Sequence, residues 1–438
     1  MKLRTIFVVG LLMAIVAPLS AQRIYRTEFT PYDTREDALR ASHAETENYM
    51  SYKPHPMQVL GKVEIVGAEV EIPTAWCDYN VYLHLENTIK AYDLVVNGNL
   101  VASVEESYTP ADFLISPFIT QGKNEVALFL RRSECPELNE GAHANFVEQF
   151  TGSCIFAQHR VHVFDYDGSI ALAENGKNLL LELDVQVRND FNFEEQVKVG
   201  YDIYDPEGRL VDYAVQDFAV AGRSVDTLRI RTNLGAEARF RWSAAKPQLY
   251  RLTLYVKRDG KPREYILFYL GGGTTTFADG RILRDGQPLV LRTAAYDART
   301  ARDRVVNEIR ALKKQGINTL LPSCPQPEWF YDVCDRVGMY VVERANITPT
   351  KEADNRAVGG TPSNNPLLLD EYLSRVRAMY YRTRNHPCII AYALGGEQSG
   401  NGFNMYRAYQ WLKGVEARRA VICPGADGEW NTDIDSLK

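Results

Sequence analysis

The spacing of apolar and polar positions changes character along the chain. From 63 to about 165, short runs of strand-like composition alternate with turn residues, at 63–66, 79–85, 92–96, 126–130 and 160–164. Asn97-Gly98 separates Leu94-Val95-Val96 from Leu100-Val101, a strong hairpin signal. This spacing predicts a β-sandwich. A second set of period-2 stretches follows at 179–187, 196–203, 224–230 and 249–256, punctuated by Asp205-Pro206-Glu207-Gly208 and Asp259-Gly260. The natural reading is an immunoglobulin-like sandwich over 178–273, closed by a linker at Gly271-Gly272-Gly273 and 274–276.

Beyond 284 strand and helix patterns alternate. Strands are predicted at 289–294, 317–321, 338–343, 388–394 and 420–423, and helices at 301–314, 326–336, 366–381 and 403–414. The helix at 366–381 carries Leu367, Leu368, Leu373, Val376, Met379 and Tyr380 on roughly one side, with Asp370 and Glu371 near its start. Repeated strand–helix units predict a parallel sheet covered on both faces. Eight units close a TIM barrel and take about 250 residues. Residues 284–438 supply about five, so the expectation is a partial (β/α)8 barrel behind two β-domains.

Composition narrows the partners. At 438 residues the chain calls for two to four domains. A net charge of -6 without a long basic block excludes a nucleic-acid partner. Residues 1–21 have a basic start at Lys2 and Arg4, an apolar centre and Leu19-Ser20-Ala21 before Gln22, which reads as a cleaved signal peptide and predicts a secreted or periplasmic protein. As a membrane span the stretch is short and lacks a stop-transfer pattern, and with no Cys at the cleavage site a lipid anchor is not expected. Residues 22–60 form a polar leader with a helix-permissive patch at 34–47. The seven cysteines are odd in number and several lie in apolar runs, which favours buried thiols; Cys135 with Cys154 is the one pair kept as a surface disulfide.

The chemistry concentrates in one stretch. Arg384-Asn385-His386-Pro387 precedes the apolar run 388–394, which ends in Gly395-Gly396-Glu397-Gln398-Ser399-Gly400-Asn401-Gly402. That pattern is a buried parallel strand delivering one acid, Glu397, to its C-terminal end, the face where barrel enzymes place their chemistry. Taken alone, a single acid at a strand end is more often a turn or salt-bridge residue. His386, at the opposite end of the strand, reads as structural. No His/Cys/Asp/Glu set has metal-ligand spacing and no phosphate-binding loop appears, so no metal and no cofactor are expected. Trp76, Tyr108 and Phe156 are candidates for sugar-facing aromatics, but at strand spacing core is the commoner role.

The stretch around Glu397 resembles the fourth barrel strand of family 2 glycoside hydrolases, especially the large β-galactosidases, where Arg-Asn-His-Pro leads into a strand ending Gly-Asn-Glu-Ser-Gly whose Glu is the general acid/base. The resemblance extends to Phe29-Thr30-Pro31-Tyr32 and Asn48-Tyr49-Met50-Ser51 in the leader, which in that family covers the first domain. It also takes in Ala91-Tyr92-Asp93-Leu94-Val95-Val96-Asn97-Gly98, the motif Trp242-Ser243-Ala244-Ala245-Lys246-Pro247-Gln248-Leu249-Tyr250, Arg284-Asp285-Gly286-Gln287-Pro288, and Gly425-Ala426-Asp427 with Thr432-Asp433-Ile434. It implies a jelly-roll sugar-binding-like domain over 61–166, a carbohydrate partner, and retaining hydrolysis of terminal β-glycosides. Glu397 is then the general acid, with Gly396, Asn346 and Asp427 on the substrate.

Departures from the family pattern run against efficient hydrolysis. The family's nucleophile is a Glu on the seventh strand, beyond Lys438, and retention needs two carboxylates about 5–5.5 Å apart. Leu321 stands where the family has Arg, Cys324 where it has His, Arg344 where it has Glu, and Gly396 where it has Asn. Full-length relatives use magnesium or sodium at the barrel mouth; here Arg344 is expected to take the cation's volume and charge. Three readings compete: a family 2 homologue, weak or inactive as an isolated chain; a non-catalytic carbohydrate-binding or assembly protein; and an N-terminal fragment of a longer enzyme. A five-stranded open sheet predicts a complementing chain, a homo-oligomer, or a poorly stable C-terminal region.

Overall fold

Strand alternation in the first half becomes two packed sheets. The computed structural model describes residues 23–40, 55–56, 65–76, 78–86, 90–106, 108–139, 153–235, 239–296, 302–349 and 361–435, so the predicted signal peptide lies outside the described residues. In the first sandwich one sheet runs His55–Pro56, Cys154–His159, Tyr79–Leu85, Ala111–Leu114, and the other Ile65–Ile72, Gly122–Arg131, Ala91–Val96, Asn99–Val104. Alternate residues such as Val81, Leu83, Leu94, Val96, Phe113 and Leu128 fill the space between them. The Asn97-Gly98 hairpin forms as expected, with both residues at positive φ (48° and 75°), which a type I′ turn requires. Trp76, Tyr108 and Phe156 are all buried.

The second sandwich packs a five-stranded antiparallel sheet against a three-stranded one. The run at 160–164, read from its pattern as the last strand of the first sandwich, instead opens the second. It begins Val161–Leu172, which pairs along its length with Leu179–Asn189. A bulge between Val163 and Asp165 interrupts the alternation there. The leader also differs from expectation. It does bridge to the first sandwich, through Ile24 and Asp112, but Pro31–Tyr32 adds an edge strand to the second, beside Tyr265 and Ile266. A short helix, Arg35–Arg40, follows, with the Thr34 hydroxyl accepting from Asp37 N at 3.1 Å.

The second half forms one parallel sheet of strands β1 (Thr293–Tyr296), β2 (Thr319–Pro322), β3 (Tyr340–Arg344), β4 (Ile389–Ala393) and β5 (Ala420–Ile422), in that spatial order. Helices α1 (Arg302–Lys314), α2 (Glu328–Val337), α3 (Leu369–Thr383) and α4 (Phe403–Val415) connect them. The arrangement is a partial (β/α)8 barrel. All five residues of β4 are buried, as its unbroken apolar run demands. β1 starts later than its apolar pattern suggests because Leu289 N bonds Ile282 O, continuing the small antiparallel sheet of Thr275–Ala278, Arg281–Arg284 and Gln287–Pro288. Among the described residues no helix is long and apolar enough to cross a membrane.

The two edges of the parallel sheet differ. On the β5 side Asp433 N donates to Val421 O at 2.8 Å, and the Asp433 carboxylate accepts from Val421 N at 2.7 Å, so a returning loop satisfies the strand. On the β1 side Thr293 and Ala295 are exposed and Val290 is 75 % exposed. The Cys135–Cys154 disulfide does not form: both thiols are free and buried. They belong to different surroundings, Cys135 beside Arg375 of α3 and Cys154 packed with Tyr82 and Phe156 in the first sandwich.

Candidate active site at the C-terminal ends of the strands

The turn that carries Glu397 is fixed by its neighbours before and after it. Leu394 N still bonds Ile422 O across to β5, after which the chain turns at Gly395, whose φ is 141°. A Cβ there would stand 2.5 Å from Ser399 Oγ and 2.8 Å from Ile347 O, so glycine is required twice over, by conformation and by space. Ser399 Oγ accepts from Gly396 N and donates to Ile347 O, both at 2.7 Å, which ties the turn to the loop after β3. Its carbonyl accepts from Ser363 Oγ at 3.1 Å. Glu397 therefore begins a short 3-10 turn, Glu397–Ser399, whose backbone is anchored at two points to the connection between β3 and α3, at the C-terminal mouth of the sheet.

Arg344, the last residue of β3, reaches the same place. A Cβ at Gly396 would lie 3.5 Å from Arg344 Nη1. The guanidinium thus rests against the residue that precedes Glu397, at a distance where a Cβ would make ordinary van der Waals contact. On the β2 side Cys324 is buried and its carbonyl accepts from Gln326 Nε2 at 2.7 Å, so this loop presents thiol and amide where a cationic or imidazole group is expected from the resemblance.

The remaining predicted residues are not gathered around Glu397 in the same way. Asn346 is 1 % exposed and its Nδ2 donates to Glu106 Oε1 of the first sandwich at 3.3 Å. Glu106 also takes Arg23 Nη1 at 3.1 Å and Tyr108 N at 2.8 Å; burial works against its charge, but Arg23 and Arg375 hold its pKa below the usual range. Asn346 is thereby tied into a contact between domains. Asp427 is exposed in a tight turn with Gly428, at φ 50° and 79°, in the loop after β5. The other acids of that loop carry structural bonds: Asp433 accepts from Tyr409 OH at 2.7 Å and pairs with Lys413 at 3.0 Å, and Glu429 accepts from Tyr406 OH at 2.6 Å.

One acid beside the site was missed from sequence. Glu343 is fully buried, its Oε1 accepts from Tyr331 OH at 2.7 Å, and among the described residues Oε2 has no hydrogen-bond partner. Burial pushes its pKa up to about 7, against the opposing pull of the Tyr331 hydroxyl and Arg382. It points into the layer between β3 and α2, on the opposite side of the strand from its neighbour Arg344. The signal was present, since a carboxylate inside Tyr340-Val341-Val342-Glu343 breaks a run that otherwise reads as buried strand.

Comparison with known proteins agrees with this geometry. Residues 297–437 match the model described as "Glycosyl hydrolases family 2, TIM barrel domain", and residues 161–271 match "Glycosyl hydrolases family 2". The β-galactosidase of Priestia megaterium is 27 % identical over 368 residues, which is 80 % of this chain and 35 % of that protein. The chain spans about a third of the length of the curated relatives it matches. Among solved structures, Bacteroides uniformis β-glucuronidase superposes with a TM-score of 0.67 at 17 % identity, covering 92 % of this chain and 52 % of that one. A β-galacturonidase from Eisenbergiella tayi gives 0.66 at 17 % identity, covering 82 % and 63 %. With matches to both its second sandwich and its parallel sheet, the chain belongs to glycosyl hydrolase family 2.

Proposed function

We propose that this chain is a β-galactosidase-like homologue built on the scaffold that cleaves terminal β-glycosides with retention, and that by itself it binds carbohydrate with little or no hydrolysis. Glu397 occupies the general acid's place, with Gly396 and Asp427 at the rim of the same mouth. The observation that carries the reading is Arg344 against Gly396: a guanidinium stands beside the residue that precedes Glu397, where the family pattern has a hydrogen-bonding Asn and, at the end of β3, a carboxylate. Retention requires a second carboxylate, and Glu429, Asp433 and Glu343 are each engaged elsewhere.

Aryl β-D-galactosides, glucuronides and galacturonides assayed with the purified chain and with Glu397→Gln test this. The expected result is a rate at or near that of buffer for every sugar, unchanged by the substitution. Turnover well above buffer that Glu397→Gln abolishes would show the isolated chain to be a working glycosidase. A second reading, completion by another chain or a second copy, draws on the exposed β1 edge. Light scattering of the full chain reads it directly: a strict monomer across a hundredfold concentration range counts against self-association.

A further inference from the structure

Where the leader crosses the first sandwich and meets α3, three ligand-type side chains converge. Glu28 comes from the leader, His84 from the strand Tyr79–Leu85, and Glu86 from the residue just past it. One donor atom from each lies within 4.8 Å of the others. We propose that Glu28, His84 and Glu86 form a binding site for a divalent transition-metal ion, with zinc the best match to one imidazole and two carboxylates, and that the bound ion staples the leader to the first sandwich.

The surroundings of His84 carry the argument. Its Nδ1 lies 2.7 Å from Asp112 Oδ1, and Asp112 Oδ2 is held by Arg26 through Nε at 2.9 Å and Nη2 at 2.7 Å. A carboxylate on Nδ1 fixes the ring so that Nε2 is turned toward Glu86, the carboxylate–histidine arrangement that orients metal-ligating imidazoles; a metal ion there takes the place of the Nε2 proton. Nε2 faces Glu86 Oε1 at 3.4 Å, too long for a strong charged hydrogen bond. The main chain at Glu86 is held by its backbone N, which donates to Ser153 Oγ at 2.8 Å. The imidazole is therefore pre-set, with the Glu86 carboxylate facing it.

Glu28 is the adjustable side. Among the described residues its carboxylate accepts no hydrogen bond; its recorded contact is Arg382 Nε, 3.6 Å from Oε2. Closing to metal–ligand bonds of about 2.0–2.2 Å needs only a side-chain movement. Arg382 is the group that competes with a cation here, but it has a second carboxylate, Glu328, 3.9 Å away, and donates to Gln326 O at 3.0 Å. Glu28 and His84 also line one surface cavity together with Arg23, Asp112 and Tyr381, so an ion has a path in from solvent. A lone imidazolium–carboxylate cluster is the alternative, and it differs in one respect: it binds protons and no zinc.

The test uses the full chain, stripped with chelator and titrated with ZnCl2 in a calorimeter, with metal content after dialysis read by mass spectrometry. One zinc per chain is expected, with a rise in melting temperature and slower proteolytic cleavage of the leader. Glu28→Gln removes a carboxylate 3.6 Å from Arg382 Nε, so it is compared with its own zinc-free melting temperature; against that baseline it should weaken zinc binding at least tenfold and remove the zinc-dependent melting shift. His84→Gln should do the same for zinc. Should His84→Gln prove unstable, Glu28→Gln with Glu86→Gln decides the matter. Zinc that fails to bind the wild-type chain, or that binds the Glu28→Gln and Glu86→Gln double variant as tightly as wild type, overturns the site.

Discussion

At the scale of single residues the molecule keeps several carboxylates where water does not reach, and one of them makes a pH prediction. Glu264 is 1 % exposed in the strand Lys261–Gly271; Gln158 Nε2 donates to it at 3.0 Å and Val163 N donates to its other oxygen. Burial pushes its pKa up to about 7, with those two donors opposing the shift. The folded state thus holds a proton that the unfolded state releases above about pH 4.5. This contribution to stability is complete below the unfolded value and is lost as pH rises through about 7, a loss on the order of 2–3 kcal/mol. Glu264→Gln, a neutral isostere, should flatten that part of the slope and be more stable than wild type at pH 8, measured by urea unfolding at pH 5 and pH 8. Glu343, Glu28 and Asp332, shifted in the same direction by burial, contribute to the slope that remains. A wild-type stability that climbs steadily from pH 5 to pH 8 would rule this out.

At the scale of elements the strand ends carry the consequences. Gly395→Ala puts a methyl 2.5 Å from Ser399 Oγ at a φ that L-residues avoid, and should cost about 2 kcal/mol or more, with loss of protection in the turn after β4. The edge of β5 depends on Asp433, which is bonded to Tyr409, Lys413 and Val421 N at once. Asp433→Ala should destabilise by about 2–4 kcal/mol and raise amide exchange in β5 while leaving β3 protected, read by hydrogen-exchange mass spectrometry. Such pairing is where the sequence stopped being legible. Strand and helix types could be read because period and turn chemistry are local, as in Asn97-Gly98 and the run of β4. The open edge expected beside β5 could not be corrected from the sequence, since its cover is an aspartate side chain imitating a strand from twelve positions away. The bulge in Val161–Leu172 misled for a similar reason, because one extra residue shifts the apparent period. At the mouth, Glu397 and Arg344 were legible as departures or matches within a motif. Asn346 was not legible as an interdomain tie, because its partner Glu106 lies 240 residues away.

At the scale of the whole molecule, Arg384-Asn385-His386-Pro387 changes meaning, from a herald of the acid-bearing strand to the clamp that joins the domains. Arg384 Nη2 donates to Asp165 Oδ2 at 2.7 Å and to Tyr166 O at 2.8 Å, both in the second sandwich. Asn385 Nδ2 donates to Thr27 Oγ1 of the leader at 2.8 Å, and its Oδ1 accepts from Gly168 N at 2.8 Å. His386 bridges Asp335 and Glu328 of α2, each at 2.7 Å, and Pro387 packs so closely on Gly271 that a Cβ there would meet it at 2.5 Å. The motif stands at the N-terminal end of β4, the face of such folds that serves stability. Removing one partner of a buried ion pair leaves the other charge uncompensated, at a cost of about 3–5 kcal/mol, so Arg384→Met should lower the stability of the interface by that order and split thermal unfolding into separate sandwich and parallel-sheet transitions. Asp165→Asn in the same chain removes the stranded charge. The double variant should therefore recover much of the loss, giving a coupling energy of about 1–3 kcal/mol in the cycle. Calorimetry of the four proteins decides it: equal and additive losses, with a single transition throughout, would mean that Arg384 fills space at this boundary and the domains are held by their other contacts.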